Sequence, residues 1–339
     1  MSQGAKQSLP GNRTRTGIVG IESVLYGVDD VAVSTRFFTD FGLELLEQGQ
    51  HGATFGTPER TSVRVRRNDD IDLPPPVEPG PTVREIVWGV ENAAALEGIA
   101  ADLSRDREVI RTEDGGIRTL DETGYTIGFR VTDRSPVFLE PQTLNTVGTV
   151  LRRNERFTFY DRATPQHIGH IVLYCPNYEE QIRFYTERLG FMVSDVVRGS
   201  GAFLRCSTDH HNLFLLNSPR KGLNHVSFGV HNIDEIMGGF KVLSEAGWKP
   251  TWGLGRHYIG SNLFYYFRNP SGGHVEYYAD MDCITDPALW QPGEFDGDAP
   301  EALFAWGGYP LPDYRKSQWE IDQELAKRDI VDAHKIGQD

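Results

Sequence analysis

The feature that most constrains the fold of this chain is a unit of about 55 residues that occurs four times. Each unit has the pattern of a strand, a helix and three further strands. In the second half, Asn177 and Asn232 each stand three residues before a glutamate, which is the pattern of a capping box. Gly190 and Gly247 stand where the two helices should end. Both patterns therefore predict the same helix position in successive units.

The first half repeats this order with different residues. A strand from about Ile21 leads into a helical pattern over residues 30–41, which Gly42 ends. A strand over residues 83–90 leads into a second helix over residues 92–103. The sequence therefore predicts an α+β fold in which four βαβββ modules form two barrel-like domains.

Two irregular stretches divide the chain. Residues 72–81 are too rich in proline for a helix or a central strand. Residues 134–164 are polar and form a longer connector. The predicted organisation is a flexible tail (1–16), an N-terminal domain (17–133), the connector (134–164), a C-terminal domain (165–283) and a C-terminal extension (284–339). Within the extension, residues 317–334 have the pattern of a solvated helix.

Composition restricts the partners. The 339 residues carry a formal net charge of −14, which opposes binding to nucleic acid or to anionic membranes. No apolar run reaches the length of a membrane span, and the polar start of the chain has no signal-peptide core. The three cysteines have no metal-binding spacing, which favours free thiols in the cytoplasm.

Three strand-like runs of the second half each contain one candidate metal ligand: His170, His225 and Glu276. Two imidazoles and one carboxylate form the facial triad that leaves positions open on a non-haem Fe(II). A single histidine in an apolar strand is more often a core residue. We nevertheless favour a metal site because the three residues occupy matching positions in the repeat. Aligning the halves places Ser23, Glu85 and Gly128 at those positions in the first half, so the N-terminal domain should hold no metal.

The most specific motif lies near the end of the second half. It comprises LGRH at 254–257, FYY at 264–266 and NPSGGHVEY at 269–277. His257 stands nine positions before Tyr266, which stands ten before Glu276. With the paired histidines at 209–212 (DHHN), this pattern resembles the type I extradiol ring-cleavage dioxygenases of the vicinal oxygen chelate superfamily, which includes glyoxalase and bleomycin resistance proteins.

The resemblance implies an iron-dependent enzyme. His170, His225 and Glu276 would hold Fe(II), with Mn(II) as an alternative. His211 would act as the acid–base residue, with His210 as its competitor. His257 and Tyr266 would donate to substrate oxygens, and Tyr265 is the alternative to Tyr266. The implied reaction is meta cleavage of a catechol with O2, in which both oxygen atoms enter the product of an aromatic degradation step. The resemblance also implies a homo-oligomer.

Two other functions remain open at this point. Another metal enzyme of the superfamily, such as an isomerase, a lyase or a dioxygenase acting on a hydroquinone or keto acid, would share the ligands without needing His211, His257 and Tyr266. A metal-free binding protein of the same fold would bind no stoichiometric metal, and the intact set of three ligands argues against it.

Overall fold

A computed structural model describes residues 16–326 and confirms the four βαβββ modules. The first comprises β1 (Ile18–Val28), α1 (Val31–Phe41), β2 (Glu44–Gln48), β3 (Gly52–Gly56) and β4 (Ser62–Arg67). The second comprises β5 (Thr82–Val90), α2 (Ala93–Leu103), β6 (Ile110–Arg111), β7 (Ile117–Leu120) and β8 (Thr126–Val131).

The second half has the same order. The third module comprises β9 (His167–Cys175), α3 (Tyr178–Arg183), β10 (Met192–Arg198), β11 (Gly201–Arg205) and β12 (Leu213–Asn217). The fourth comprises β13 (Gly222–Gly229), α4 (Ile233–Glu245), β14 (Pro250–Arg256), β15 (Leu263–Arg268) and β16 (His274–Ala279). The extension adds β17 (Gly293–Asp296) and helical residues at 318–326. The rest of the helix predicted over 317–334, and nearly all of the N-terminal tail, lie outside the described residues.

Each half is one mixed sheet made by joining two modules. The strand order is β2-β3-β4-β1-β5-β8-β7-β6 in the first half. The second half repeats it as β14-β15-β16-β13-β9-β12-β11-β10, and β17 extends it by pairing in parallel with β10. The central pair of each sheet, β1–β5 or β9–β13, is antiparallel. Residues from both modules line one cavity in each sheet, so each sheet curves into an incomplete barrel.

The helix boundaries follow from side-chain caps, with one exception. The Asp30 carboxylate accepts from the N–H of Val33 at 2.9 Å, and the Asn232 side chain caps α4 in the same way. The predicted cap at Asn177 is wrong in detail, because its side chain makes no such bond. The side-chain oxygen Oδ1 of Asn177 instead accepts from the Thr123 hydroxyl of the N-terminal half at 2.8 Å. A π-helical turn (Phe184–Arg188) then continues α3.

The two halves pack through a continuous aromatic core. The rings of Phe41 and Tyr277 stack with centroids 4.1 Å apart, and the Tyr277 hydroxyl donates to the Phe41 carbonyl at 2.6 Å. In a second contact between the halves, Trp88 packs edge-on against Phe191. The first module thus contacts the fourth, and the second contacts the third. The N-terminal sheet therefore braces the strands of the C-terminal one.

Tyr125, from the N-terminal half, completes the end of the β9–β13 ladder. Its buried hydroxyl lies 2.8 Å from the carbonyl oxygens of both Tyr174 and Gly222. It also accepts from the N–H of Gly222 at 2.7 Å. One hydroxyl thus bonds backbone groups of β9 and β13, the two strands that carry His170 and His225. Without it, these buried backbone groups would be unpaired.

The described residues contain no helix that is long and apolar enough to cross a membrane. Within the described residues the three cysteines form no disulfide; Cys175 and Cys206 are buried and Cys283 is exposed.

Replacing Tyr125 by phenylalanine should destabilise the protein by about 1–3 kcal/mol, because buried backbone groups of Gly222 and Tyr174 lose their partner. Urea denaturation would measure the change in the free energy of unfolding. Tyr258→Phe is the matched control, since Tyr258 is exposed and should tolerate the loss of its hydroxyl. Equal stability of the two variants would contradict the role assigned to the Tyr125 hydroxyl.

Candidate metal centre

The three candidate ligands come together because of the register of three neighbouring strands. His170 of β9 and Glu276 of β16 both pair with Ser227 of β13, one from each side. His225 lies two residues before Ser227, so it points from the same face of β13. Ser227 is buried and small, which leaves room for the three larger side chains above it.

The geometry of these side chains fits a cation. The Nε2 atom of His170 lies 2.9 Å from Oε2 of Glu276, and Nε2 of His225 lies 3.3 Å from the same oxygen. All three residues are buried, and their ligand atoms lie within 4.8 Å of one another. Among the described residues, His225 Nε2 and Glu276 Oε2 have no hydrogen-bond partner. Buried acceptors that converge without a donor match the donor set of a two-histidine, one-carboxylate metal site.

A neighbouring amide orients one of the imidazoles. The Nδ1 atom of His225 lies 2.6 Å from Oδ1 of Asn224, which can only accept, so Nδ1 carries the proton. The lone pair of His225 is therefore on Nε2, facing Glu276. The Asn224 amide nitrogen in turn donates to the Tyr174 hydroxyl at 2.6 Å. Such outer hydrogen bonds fix the tautomer and the ring orientation of a metal ligand.

The protonation states suit metal binding. Burial alone would raise the pKa of Glu276, but His170 and His225 hold that pKa well below its usual range. Burial lowers the pKa of His225 in spite of the adjacent Glu276. At neutral pH the carboxylate is therefore ionised and the imidazole of His225 is neutral, which are the forms that coordinate metals.

The ligands open into a cavity of about 150 Å³. Its walls are mostly apolar: the rings of Phe203 and Phe214 stack with centroids 4.2 Å apart on one side. Trp252 stacks on Tyr266 on the other side, at an interplanar angle of 16°. The C-terminal extension covers this cavity with Leu303, Pro310 and Tyr314, among other residues. A flat apolar molecule would thus be held between aromatic walls beside the three ligands.

His211 lies in this cavity at the end of a hydrogen-bonded chain. The Asp195 carboxylate lies 2.7 Å from Nε2 of His210, and Nδ1 of His210 lies 3.1 Å from Nδ1 of His211. If Asp195 accepts from His210, then His210 Nδ1 accepts from His211, and the lone pair of His211 is on Nε2. The predicted competitor His210 is fully buried behind His211 and is absent from the lining.

His257 and Tyr266 also reach the cavity and contact each other. The Nδ1 atom of His257 donates to the Leu303 carbonyl at 2.6 Å, so its Nε2 accepts from the Tyr266 hydroxyl at 3.0 Å. Burial lowers the pKa of His257 to about 4 despite the charge of Glu276, and the ring is neutral at pH 7. Donation from His257 to a substrate oxygen stays a prediction, because it needs either the protonated ring or release of Leu303.

The register also separates the two adjacent tyrosines. Tyr266 pairs with Glu276 and lines the cavity. Tyr265 points from the opposite face of β15 and stacks on Phe240 of α4, with ring centroids 4.7 Å apart. Tyr266 is therefore the tyrosine in reach of a ligand.

Sequence reasoning missed Asn224 and Asp195, and it did not identify which residues of the extension reach the cavity. Asn224 directly precedes a candidate ligand, and that adjacency was the one available signal. Asp195 belongs to no recognisable motif. Leu303 acts through its backbone carbonyl, and because every residue has one, the sequence gives no signal for it. His274, two residues before Glu276, does not line the cavity; its ring is held by the Thr251 hydroxyl and the Tyr314 carbonyl.

The pairing in the N-terminal sheet repeats the same geometry with other residues. Ser23 and Gly128 both pair with Val87, as His170 and Glu276 pair with Ser227. Glu85 stands where His225 does. Among the described residues, His170, His225 and Glu276 form the one group able to hold a metal ion through three ligands.

Comparison with known proteins agrees with this geometry. The model of the Glyoxalase/Bleomycin resistance protein/Dioxygenase superfamily matches residues 167–277, which include all three candidate ligands. Metapyrocatechase 2 of Cupriavidus necator is 27% identical over 317 residues, which cover 91% of this chain and 95% of the relative.

Two further proteins that are similar to this chain have names that mention a metal. The iron-dependent extradiol dioxygenase of Rhodococcus jostii (strain RHA1) is 26% identical over 278 residues, covering 75% of this chain and 88% of that protein. The crystal structure of the Mn(II)-bound glyoxalase from Novosphingobium aromaticivorans superposes with a TM-score of 0.70 at 26% identity, covering 88% of this chain and 93% of that one. Related chains thus hold iron or manganese.

Replacing Asn224 by leucine should weaken metal binding about 10–100-fold, because His225 loses the acceptor that fixes its tautomer. Competition with a chelator for Fe(II) or Mn(II) would measure the affinity. Asn217→Leu is the matched control, since Asn217 is exposed at the end of β12. An unchanged affinity in folded Asn224→Leu protein would show that Asn224 does not orient the ligand.

Proposed function

We propose that this protein cleaves the ring of a catechol beside its two hydroxyl groups, using Fe(II) and O2, and that both oxygen atoms enter the product. One observation carries the proposal: the three candidate ligands open into an aromatic-walled cavity whose other polar groups include His211, His257 and Tyr266. The iron-dependent and catechol-cleaving relatives support it.

His170, His225 and Glu276 would hold the metal. A divalent iron there supplies the Lewis acidity and the electron exchange that a reaction between an aromatic diol and O2 requires. Two neutral imidazoles and one carboxylate leave a net charge of +1 on a divalent ion, which favours the deprotonated diol. Mn(II) is the alternative, because nitrogen and oxygen ligands bind both ions and supply decides between them.

The size of the cavity supports a single-ring substrate. A cavity of about 150 Å³ can hold a benzene ring. Val172, Phe214 and Trp252 give the ring apolar contacts, and water is displaced from the space beside the ligands. We therefore propose catechol or a catechol with small substituents, in preference to a biphenyl diol.

His211 is proposed to move the proton. Burial and the neighbouring His170 and His210 hold the pKa of His211 well below its ordinary value, so the ring is neutral and can accept a proton from a catechol hydroxyl. Asp195 and His210 would stabilise the resulting imidazolium without a change in their hydrogen bonds, because His210 Nδ1 still accepts from His211 and Asp195 still accepts from His210. The same proton can return to the oxygen that becomes the new acid group of the product.

Tyr266 is proposed to position the diol. Its hydroxyl donates to His257, and it can turn to donate to a substrate oxygen as negative charge develops there. Burial raises the pKa of Tyr266 well above its ordinary value, so it stays a donor at working pH. His257, held by Leu303, would keep the tyrosine in place.

A second candidate is another metal-dependent reaction of the superfamily. The Mn(II)-bound glyoxalase structure, which covers 88% of this chain, is the observation that favours it. A catalyst of that kind would need the ligands but not the Asp195–His210–His211 chain. A homo-oligomer in the cytoplasm remains our prediction for either function.

The first test is anaerobic reconstitution with Fe(II), followed by O2 and a panel of catechols with substituents of increasing size. We expect a yellow ring-fission product with small catechols and its loss in Glu276→Ala. Bound iron with no product from any catechol would reject the proposed reaction in favour of the second candidate. A preference for biphenyl diols would reject the proposed ring size.

Replacing His211 by alanine should reduce turnover about 10²–10⁴-fold, because the diol loses its proton acceptor. Iron content should be unchanged, since His211 is not among the three ligands. His231→Ala is the matched control: His231 lies at the start of α4, away from the cavity, and the variant should keep full activity. Steady-state oxygen uptake and metal analysis would measure both, and wild-type turnover by His211→Ala would refute the assignment.

A further inference from the structure

The N-terminal half contains a cup that the proposed reaction does not use. The cavity measures about 910 Å³, several times the volume beside the candidate ligands, and strands of both N-terminal modules line it. It lies where the pairing of the N-terminal sheet repeats that of the catalytic one. The repeat has therefore kept the concave site while changing the residues in it.

The changed residues are charged. Glu85 takes the place of His225, Arg118 the place of Tyr266, and Arg64 the place of Phe214. Arg130 takes the place of Tyr278. In place of candidate metal ligands and aromatic rings, this cup has a cluster of guanidinium groups near the buried carboxylate of Glu85.

Most of the charge in this cluster is balanced. Glu85 is buried and accepts two hydrogen bonds from Arg118, at 2.7 and 3.0 Å. Arg130 lies 3.6 Å from the buried Glu22, and Asp114 stands at the edge of the cluster. The lining as a whole contains five arginines and five carboxylates, so the cup carries no large net charge.

Some hydrogen-bond donors of this cluster, in contrast, have no acceptor. The nearest carboxylate oxygens to Arg64 and Arg130 lie 3.6 Å away, which is beyond hydrogen-bond distance. The buried Nε atoms of both residues have no partner among the described residues. Burial lowers the pKa of Arg64 in spite of Glu85, and the charge of Arg130 adds to this effect. Both guanidinium groups line the cup with donors available.

We propose that this cup binds a small organic monocarboxylate between Arg64 and Arg130. A planar carboxylate matches the fork of a guanidinium group and accepts two parallel hydrogen bonds from it. A single negative charge suits a cluster whose own charges nearly cancel, whereas a phosphate would bring its second charge close to Asp114. Leu25, Val87 and Ile117 give the carbon skeleton of the ligand apolar contacts.

Isothermal titration of the iron-loaded full chain with sodium benzoate tests the proposal. We expect saturable binding that weakens by about tenfold or more in Arg64→Gln/Arg130→Gln, since each residue contributes a charge-assisted bond. Arg67→Gln is the matched control, because Arg67 is on the same strand but pairs with Asp69 outside the cup. Tyr266→Phe should bind benzoate like the wild type, which separates the cup from the catalytic cavity.

A second variant keeps the test valid if the double variant is unstable. Thr54 pairs with Arg64 across β3 and β4, at the position that Phe203 occupies in the other half. Thr54→Phe should therefore fold, fill the cup beside Arg64 and weaken benzoate binding. Absence of saturable binding, or equal affinity in wild type and the cup variants, would overturn the site. Tighter binding of inorganic phosphate than of benzoate would overturn the ligand class.

Discussion

The pairing of β9, β13 and β16 around Ser227 is the constraint on which the functional geometry depends. A shift of one residue in either ladder would turn a candidate ligand to the other face of the sheet and separate the three side chains. The N-terminal half contributes to this register. Tyr125 bonds the end of the central ladder, and Tyr277 of β16 is held against Phe41 by stacking and a hydrogen bond. One half of the repeat therefore supports the strands that carry chemistry in the other.

The same scaffold supports two different electrostatic environments. In the C-terminal cavity, burial keeps His211 and His225 neutral, and the neighbouring His170 and His225 keep Glu276 ionised. In the N-terminal cup, ion pairs balance the charges of Glu85 and Arg118, and neighbouring guanidinium donors remain available. The strand pairing is alike in both, so the difference comes from side chains alone. Fold and chemistry are thus separable in this molecule.

Local sequence patterns were sufficient for the modules and for the candidate ligands. Helix caps and glycine stops are short-range signals, and the ligands stand at matching points of a repeat, so both could be predicted without coordinates. The Asn177 cap could not, because Thr123 of the other half competes for its side chain. The partners of the cavity residues were also missed. Asp195 lies far from His210 in sequence, and Leu303 contacts His257 through a backbone carbonyl, so neither leaves a pattern to detect.

The contact between His257 and Leu303 bears on the order in which the protein folds and binds its metal. The imidazole belongs to the fourth module, but the carbonyl that sets its tautomer belongs to the extension, which is synthesised after all four modules. A chain whose modules have folded while the extension has not could already collect its metal, yet its cavity would lack a wall and a defined proton arrangement. Acquisition of the metal and readiness for catalysis are thus separate stages of maturation. Folding of the extension completes the second stage.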